Sequence, residues 1–314
     1  MTAAIDVVVP VHGNWAVTRA CLHALAMQTA PHRVFVVDDA SPDDTRLRLA
    51  SEFPGATVIA FDVNRGFAAA CNAGIAAGEA EVVVLLNNDV EADPRLLEEL
   101  SDALARHPAA GSAVPLLTRP DGRVDAYGLC VDPTMAGFVR FAGATVEEAT
   151  SARGHRLLGP YGAVAAFRRS ALYEVGPLDE GIFMYGEELD LALRLSSEGW
   201  GTVAVPSARG VHLGGATSVR GSATQRRRAG FGRGYLLRAY GVLRGRYALR
   251  ALLTEAIVCA GDLVLSRDAA STIGRWQGWR AGALAQRRRR AVPAVDRTIG
   301  FVQSLALRIG DRKA

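Results

Sequence analysis

The sequence predicts an α/β fold: a mixed, mostly parallel sheet with helices on both faces, followed by a C-terminal helical, basic extension. Three observations carry this. Over the first 115 residues, short apolar runs alternate with segments whose apolar positions recur at helical spacing, the signature of right-handed strand–helix–strand crossovers. The run Val82-Val83-Val84-Leu85-Leu86 is apolar without alternation, as a strand buried on both faces must be. Polar residues then gather at the strand ends: His12 to Asn14, Asp38-Asp39, Asn64-Arg65 and Asn87 to Asp89. Ligands of open parallel sheets bind along that rim.

Taken in order, Ile5 to Val11 reads as the first strand and Trp15 to Gln28 as the first helix. Val34 to Val37 is the second strand and Thr45 to Phe53 its helix, with Asp43-Asp44 as caps. Thr57 to Phe61 is the third strand, and an Ala-rich helix follows Asn64-Arg65-Gly66-Phe67. Val82 to Leu86 is the fourth, with a helix from Pro94 to Arg106. Between Gly111 and Leu158 the pattern loosens into short strands, with a turn at Pro120-Asp121-Gly122-Arg123. Ala163 to Phe167 is strand-like, and Ser170 is placed to cap a short helix ended by Gly176-Pro177. Glu187 to Gly199 is a helix in which Asp190 and Arg194, four apart, can pair. Thr202 to Val205 closes the domain as a strand, and Gly210 to Gly215 reads as a loop carrying His212. The partition expected is therefore 1–218 for the sheet domain (1–115 and 116–218 as its two parts) and 219–314 for the extension.

Charge divides the chain at the same place. From Val219 onward there are 20 Lys and Arg against 5 Asp and Glu, whereas the remainder holds 16 against 27. Arginines alternate there with Phe231, Tyr235, Tyr240, Tyr247, Trp276 and Trp279. A basic, aromatic-bearing helical tail suits peripheral attachment to an anionic membrane surface; a helical cap packed on the sheet with solvated arginines is the other reading. No apolar run approaches the roughly 20 residues of a membrane span, and no signal peptide is expected. Cys21, Cys71, Cys130 and Cys259 are widely spaced, reading as buried thiols of a reducing cytoplasm rather than disulfides or zinc ligands.

Several strand-end residues are candidates for chemistry. Asp38 can accept from a pyrimidine or a ribose hydroxyl. Asn64-Arg65-Gly66 opens a helix whose free N–H groups suit a phosphate, and reads equally as a tight turn capped by Asn64. Asn87-Asn88-Asp89 offers oxygens to a hard cation, or is a polar turn leading to a cap at Asp93. His212, flanked by glycines, stands between a metal ligand and a structural histidine. Glu187-Glu188 at a helix start is a candidate for a general base kept ionised by the helix dipole, or ordinary first-turn acidity.

In order and together, these pieces resemble the family 2 glycosyltransferases of GT-A fold, most closely the bacterial rhamnosyltransferase-type members of cell-envelope polysaccharide assembly. The resemblance spans about Ile5 to Thr217. It rests on Val8-Val9-Pro10-Val11-His12, Val36-Val37-Asp38-Asp39-Ala40-Ser41, Asn64-Arg65-Gly66-Phe67 leading to Asn72-Ala73-Gly74, and Leu85-Leu86-Asn87-Asn88-Asp89. It continues through Gly162-Ala163 with Phe167-Arg168-Arg169, Phe183 to Asp190 with Arg194, and His212-Leu213-Gly214-Gly215.

The resemblance implies that Pro10, Val11 and Asp38 hold the nucleoside, and that Asn64, Arg65, Asn72 and Asn88 serve the nucleotide sugar. Asp89 would hold Mg²⁺ or Mn²⁺ on the diphosphate with His212 as second ligand; Asn87 stands where the family's Asp-x-Asp begins. Glu188 would be the base of an inverting transfer, with Glu187, Asp190 and Gly162 shaping the acceptor pocket. The implied donor is dTDP-rhamnose, then a UDP-sugar, and the implied acceptor a glycan or polyprenyl-linked glycan at the inner face of the cell membrane. Two other classes compete. A nucleotidyltransferase normally has a Gly-rich, cation-bearing triphosphate loop, which Pro10-Val11-His12-Gly13-Asn14 is not. A nucleic-acid-binding protein is disfavoured by the acidic body.

Overall fold

The computed structural model describes residues 5–214, 221–286, 288 and 292–313. Of the positions singled out above, Gly215, Thr217 and Val219 lie outside the described residues, as do Arg287, Arg289 and Arg290 of the basic extension.

Strands β1 (Ile5–Val11), β2 (His32–Asp39), β3 (Thr57–Phe61) and β4 (Val82–Leu86) lie parallel in the order β3-β2-β1-β4, linked by helices α1 (Trp15–Ala26), α2 (Thr45–Glu52) and α3 (Phe67–Ala77). Strand order reverses at β1, so a crevice opens at the ends of β1 and β4. Alternation along β1 sorts its side chains between two cores. Val7 and Val9 join Leu86, Leu97 and Leu100 on one face, while Val8 joins Leu85, Ala70, Leu191 and Leu195 on the other.

Past β4 the chain changes direction. The next elements are β5 (Val90–Ala92), α4 (Leu96–Arg106), β6 (Ala110–Thr118), β7 (Val124–Ala126), β8 (Leu129–Val131), β9 (Gly137–Val139) and α5 (Val146–Ser151). Then come β10 (Val164–Arg168), α6 (Arg169–Val175), α7 (Glu187–Ser197) and β11 (Gly201–His212). β10 inserts antiparallel between β4 and β6, and β11 runs parallel to β6 and antiparallel to β5.

The expected loop at Gly210 to Gly215 is corrected here: Gly210, Val211 and His212 are strand, paired with Ala92, Glu91 and Val90. An irregularity between Val205 and Arg209 lets one strand serve both neighbours. A methyl on Gly210 would lie 3.0 Å from the Glu91 carbonyl, so this glycine marks close strand approach rather than a loop. Two helix starts also move. α4 begins at Leu96, with Leu96 N donating to the Asp93 carbonyl (2.9 Å), and α6 begins at Arg169 with no cap from Ser170.

The extension forms α8 (Ala223–Ala239), a 3₁₀ turn at Val242–Arg244, α9 (Ala248–Ser266), α10 (Ala270–Ala281) and α11 (Phe301–Lys313). α8 and α10 pack through Gly230, Gly234, Gly274 and Gly278, where a methyl on any would meet the partner's backbone. Tyr235, Leu236 and Tyr240 share one buried cluster with Leu189 and Leu193 of α7 and Val131 of β8, so the extension is packed on the sheet domain. Several of its arginines turn inward. Arg233, Arg275 and Arg308 converge on Glu255 at 2.7, 2.8 and 3.0 Å, and Arg250 meets Asp132 at 3.0 Å.

Asp6 anchors the corner opposite the crevice. Fully buried, it accepts from Ala80 N (2.7 Å) and pairs with Arg33 (2.9 Å) and the buried Arg169 (2.8 Å). Breaking such a pair leaves a desolvated charge. Asp6→Ala is therefore expected to cost about 3–5 kcal/mol in urea denaturation.

Candidate active site

At the C-terminal ends of β1, β2 and β4 lies a cavity of about 420 Å³. One wall is Pro10, Val11 and His12, ending β1, with Asp39 and Asn64 beside them. Asp39 accepts the amides of Arg65 (2.6 Å) and Gly66 (2.9 Å), and His12 Nδ1 donates to the Asp39 carbonyl (2.8 Å). Gly66 is required there: its φ is +89°, and a methyl would lie 2.5 Å from the Phe183 carbonyl oxygen.

The second wall is the turn after β4. Asn88 Nδ2 donates to Thr18 Oγ1 (2.8 Å), and the Asp89 carbonyl accepts from Leu213 N (2.9 Å). That last bond continues the β5–β11 pairing and sets His212 beside Asp89. His212 Nδ1 is 2.7 Å from Asp125 Oδ2, whose carboxylate also meets Arg119 (3.2 Å). Its Nε2 lies 3.2 Å from Asp89 Oδ1, an approach that misses hydrogen-bond geometry. Burial opposes a charge on His212, but Asp125 and Asp89 outweigh it and push its pKa up to about 9. Burial likewise opposes ionisation of Asp125, which His212 and Arg119 nevertheless hold below the ordinary carboxylate value.

At neutral pH the Nε2 proton of His212 answers the Asp89 carboxylate; a divalent cation between the two would take that proton's place, with Nδ1 still fixed by Asp125. Among the described residues no cluster of three or more His, Cys, Asp or Glu side chains completes a metal shell. Asp89 and His212 fit a cation that takes its remaining ligands from phosphate and water.

The third wall is the entry to α7. Tyr185 and Gly186 take positive φ (70° and 115°), turning the chain so that Glu187 and Glu188 begin the helix. Glu188 Oε2 accepts from Gly186 N (3.1 Å), and a methyl on Gly162 would lie 3.9 Å from its carboxyl carbon. Burial, then the neighbouring Glu188 charge, raises Glu187 well above the usual carboxylate range; its Oε2 has no hydrogen-bond partner. Burial raises Glu188 too, but backbone amides and Glu187 work the other way. Both are raised, Glu187 the further, so Glu188 is the more readily ionised of the two. The helix N-terminus alone, from which a freely ionised base was expected, is outweighed by burial.

The fourth wall comes from the extension: Thr224, Gln225 and Arg228 of α8, with the Arg228 guanidinium 4.7 Å from the Phe183 ring centre.

Of the residues expected at the site, Pro10, Val11, Asn64, Asn88, Asp89, Gly162, Glu187, Glu188 and His212 border this cavity, as does Asn87. Asp38, Arg65, Asn72 and Asp190 do not. Asp38 is buried and accepts from Ser41 N (3.0 Å). Arg65 lies over Phe61 and pairs with Glu180. The Asn72 amide clasps the Leu178 backbone on both sides (3.0 and 2.9 Å). Asp190 is fully buried between Arg194 (2.8 Å), Arg288 (3.1 Å) and Tyr240 (3.0 Å). Unforeseen at the cavity are Tyr161 and Arg228; Asp39, read as part of the rim, stands where Asp38 was expected, and Asp125, unforeseen too, lies behind His212. Neighbours on a strand face opposite ways, so only one of Asp38 and Asp39 could face the crevice, and nothing local says which. Arg228 lay in an arginine run read as surface charge.

Comparison with known proteins bears on the family and the fold. The model of Glycosyl transferase family 2 matches residues 6–176, and that of Glycosyl transferase family group 2 matches residues 114–273. The chain is 29% identical over 250 residues to the N-acetylglucosaminyl-diphospho-decaprenol L-rhamnosyltransferase of Mycobacterium tuberculosis, covering 68% of this chain and 76% of that one. It is 26% identical over 223 residues to the O-antigen biosynthesis protein RfbC of Myxococcus xanthus, covering 67% of this chain but 17% of that one. Among solved structures, GalNAc-T7 with UDP, GalNAc and Mn²⁺ superimposes with a TM-score of 0.58 at 16% identity, over 82% of this chain and 55% of that one. The mannosyltransferase PcManGT of Pyrobaculum calidifontis, with GDP-Man and Mn²⁺, gives 0.52 at 20% identity, over 100% and 81%. The fold is GT-A.

The entry to α7 is held from behind by α8, where a methyl on Gly232 would collide with the Tyr185 carbonyl. Gly232→Ala is accordingly expected to cost about 1–3 kcal/mol by overpacking, read as a lowered melting temperature.

Proposed function

The chain belongs to glycosyltransferase family 2, and we propose that it moves a sugar, with inversion, from a nucleoside diphosphate to a hydroxyl of a polyprenyl-linked glycan. The observation that carries this is the opening of Glu188 and of the Asp89–His212 pair onto one cavity. The Mycobacterium tuberculosis relative, named as an L-rhamnosyltransferase acting on a decaprenol-linked sugar, favours dTDP-rhamnose as donor over UDP-sugars.

In this reading Pro10 and Val11 flank the nucleoside, with Asn64 and Asn88 along its diphosphate. Asp89 and His212 hold Mg²⁺ or Mn²⁺, which when bound neutralises charge on the leaving diphosphate. Arg228 brings a fixed cation to the same space. Glu188 takes the proton of the acceptor hydroxyl. That oxygen bonds to the anomeric carbon from the face opposite the diphosphate, and the bond from carbon to the phosphate oxygen breaks. Glu187, retaining its proton, keeps a second negative charge away from the acceptor, and Gly162 leaves room beside the base. Attachment to the inner face of the membrane through the extension would be peripheral. No described helix is long and apolar enough to cross a membrane.

Nucleotide release with purified protein against a panel of nucleotide sugars, with and without Mn²⁺ and EDTA, tests the reading; turnover unaffected by EDTA would remove the metal from it. Glu188→Gln is expected to lower transfer by about 10²–10⁴-fold while donor binding persists, and retained turnover would reassign the base. Because Glu188 is raised and acts deprotonated, activity is lost as pH falls through its pKa. The acid limb of kcat/KM therefore has a midpoint above the ordinary value of 4.5. Asp125→Ala removes the group that orients His212 and is expected to weaken Mn²⁺ binding about 10–100-fold in a direct titration.

A further inference from the structure

Helix α9 is built inside out. Its buried positions include Thr254, Glu255 and Asp262, whereas every exposed residue between Leu249 and Leu265 is apolar. Leu249, Leu252, Leu253, Ile257, Leu263 and Val264 recur at helical spacing and are 48–73% exposed. The inversion is enforced from within: burial opposes a charge on Glu255, but Arg233, Arg308 and Arg275 outweigh it and hold the carboxylate far below its usual range. Rotating the helix to hide its leucines would break that cluster and strand desolvated charges.

The ends of the face are cationic. Exposed Arg244 and Arg246 precede it, with Arg246 4.8 Å from the Tyr247 ring centre, and exposed Arg267 follows it. On α10, Trp276 is 57% exposed with the Arg280 guanidinium 4.9 Å from its ring centre. Two copies paired along α9, in either direction, would set arginine beside arginine, with no exposed carboxylate on the face to answer them. Anionic headgroups would answer them, and acyl chains would take the leucines. The helix is about 28 Å long at 1.5 Å per residue, and a helix with an outer apolar face and an inner ionic one lies along a bilayer rather than across it.

We propose that the outward face of α9, with Trp276 beside it, is the surface by which this protein seats on an anionic bilayer. The inference deepens the membrane-associated reading above and relocates its basis: the apolar face inserts, and the arginines that matter are those at its ends rather than the inward-turned ones.

Flotation of the full chain with phosphatidylcholine vesicles, with and without roughly 30% phosphatidylglycerol, tests it. No nucleotide sugar enters the assay, so its outcome is independent of the transfer reaction. Expected are binding to the anionic vesicles and quenching of tryptophan fluorescence by brominated acyl chains that largely disappears in Trp276→Phe. Leu253→Glu with Ile257→Glu should lower the bound fraction about tenfold or more, with an unchanged melting temperature. Leu249→Gln with Val264→Gln, at the two ends of the face, gives a second reading should the first pair disturb folding. Wild-type protein that ignores anionic vesicles, or variants that bind as wild type does, overturn the proposal. So does a dimer in solution that the same substitutions split without any vesicle binding, which would assign the face to a second copy.

Discussion

The site depends on one short piece of backbone pairing. β5 and β11 are antiparallel neighbours over three residue pairs, and Leu213 N extends the ladder to the Asp89 carbonyl. Without that pairing, Asp89 ends a turn and His212 follows a strand more than 120 residues away. With it, the imidazole is fixed beside the carboxylate by main-chain bonds that no side-chain rotamer can undo. β10 does the equivalent on the other side. By inserting antiparallel between β4 and β6 it carries Gly162 and Ala163 to the rim, and the Ala163 carbonyl accepts from Asn87 N (2.9 Å). The parallel half of the sheet supplies a crevice; the antiparallel half closes it.

Charge in the closed space is set by burial more than by the helix dipole. Two carboxylates open α7, and their burial raises both, Glu188 the less because backbone amides receive its charge. The same helix carries Asp190 two residues after Glu188, past the cavity wall, where two arginines and a tyrosine satisfy it. Little more than half a turn of helix thus separates the carboxylate at the cavity from a structural one. The difference is compensation: Asp190 is fully paired, whereas at the cavity Glu187 Oε2 has no hydrogen-bond partner and Asp89 Oδ1 has only His212 beside it.

Much of this was legible in the chain. Continuous apolar runs located β1 to β4, and the polar strand ends located the rim, because both signals are local. Asp190 and Arg194 were correctly read as a pair at helical spacing, but spacing does not say whether a pair faces a pocket or a core. Non-local contacts were not legible. Gly210 looked like a loop because glycine is commonest there, yet it was needed for close approach to Glu91. Asp125 carries no local signal at all, since its role exists only once β7 lies near the end of β11. The extension was legible in charge but not in direction: a count of arginines cannot tell outward-pointing cations from a ring closed on Glu255.

That ring also ties the extension to the chemistry. α8 borders the cavity with Arg228, and five residues on, about 8 Å along the helix, Arg233 grips Glu255 of α9. Its Gly232 meanwhile lies against the backbone that aims Glu188. A single helix, packed by glycines on one side and ion-paired on another, therefore touches the cavity, the turn that sets the base, and the element whose apolar side is turned outward. The extension is thus a wall of the cavity as much as an appendage to the sheet.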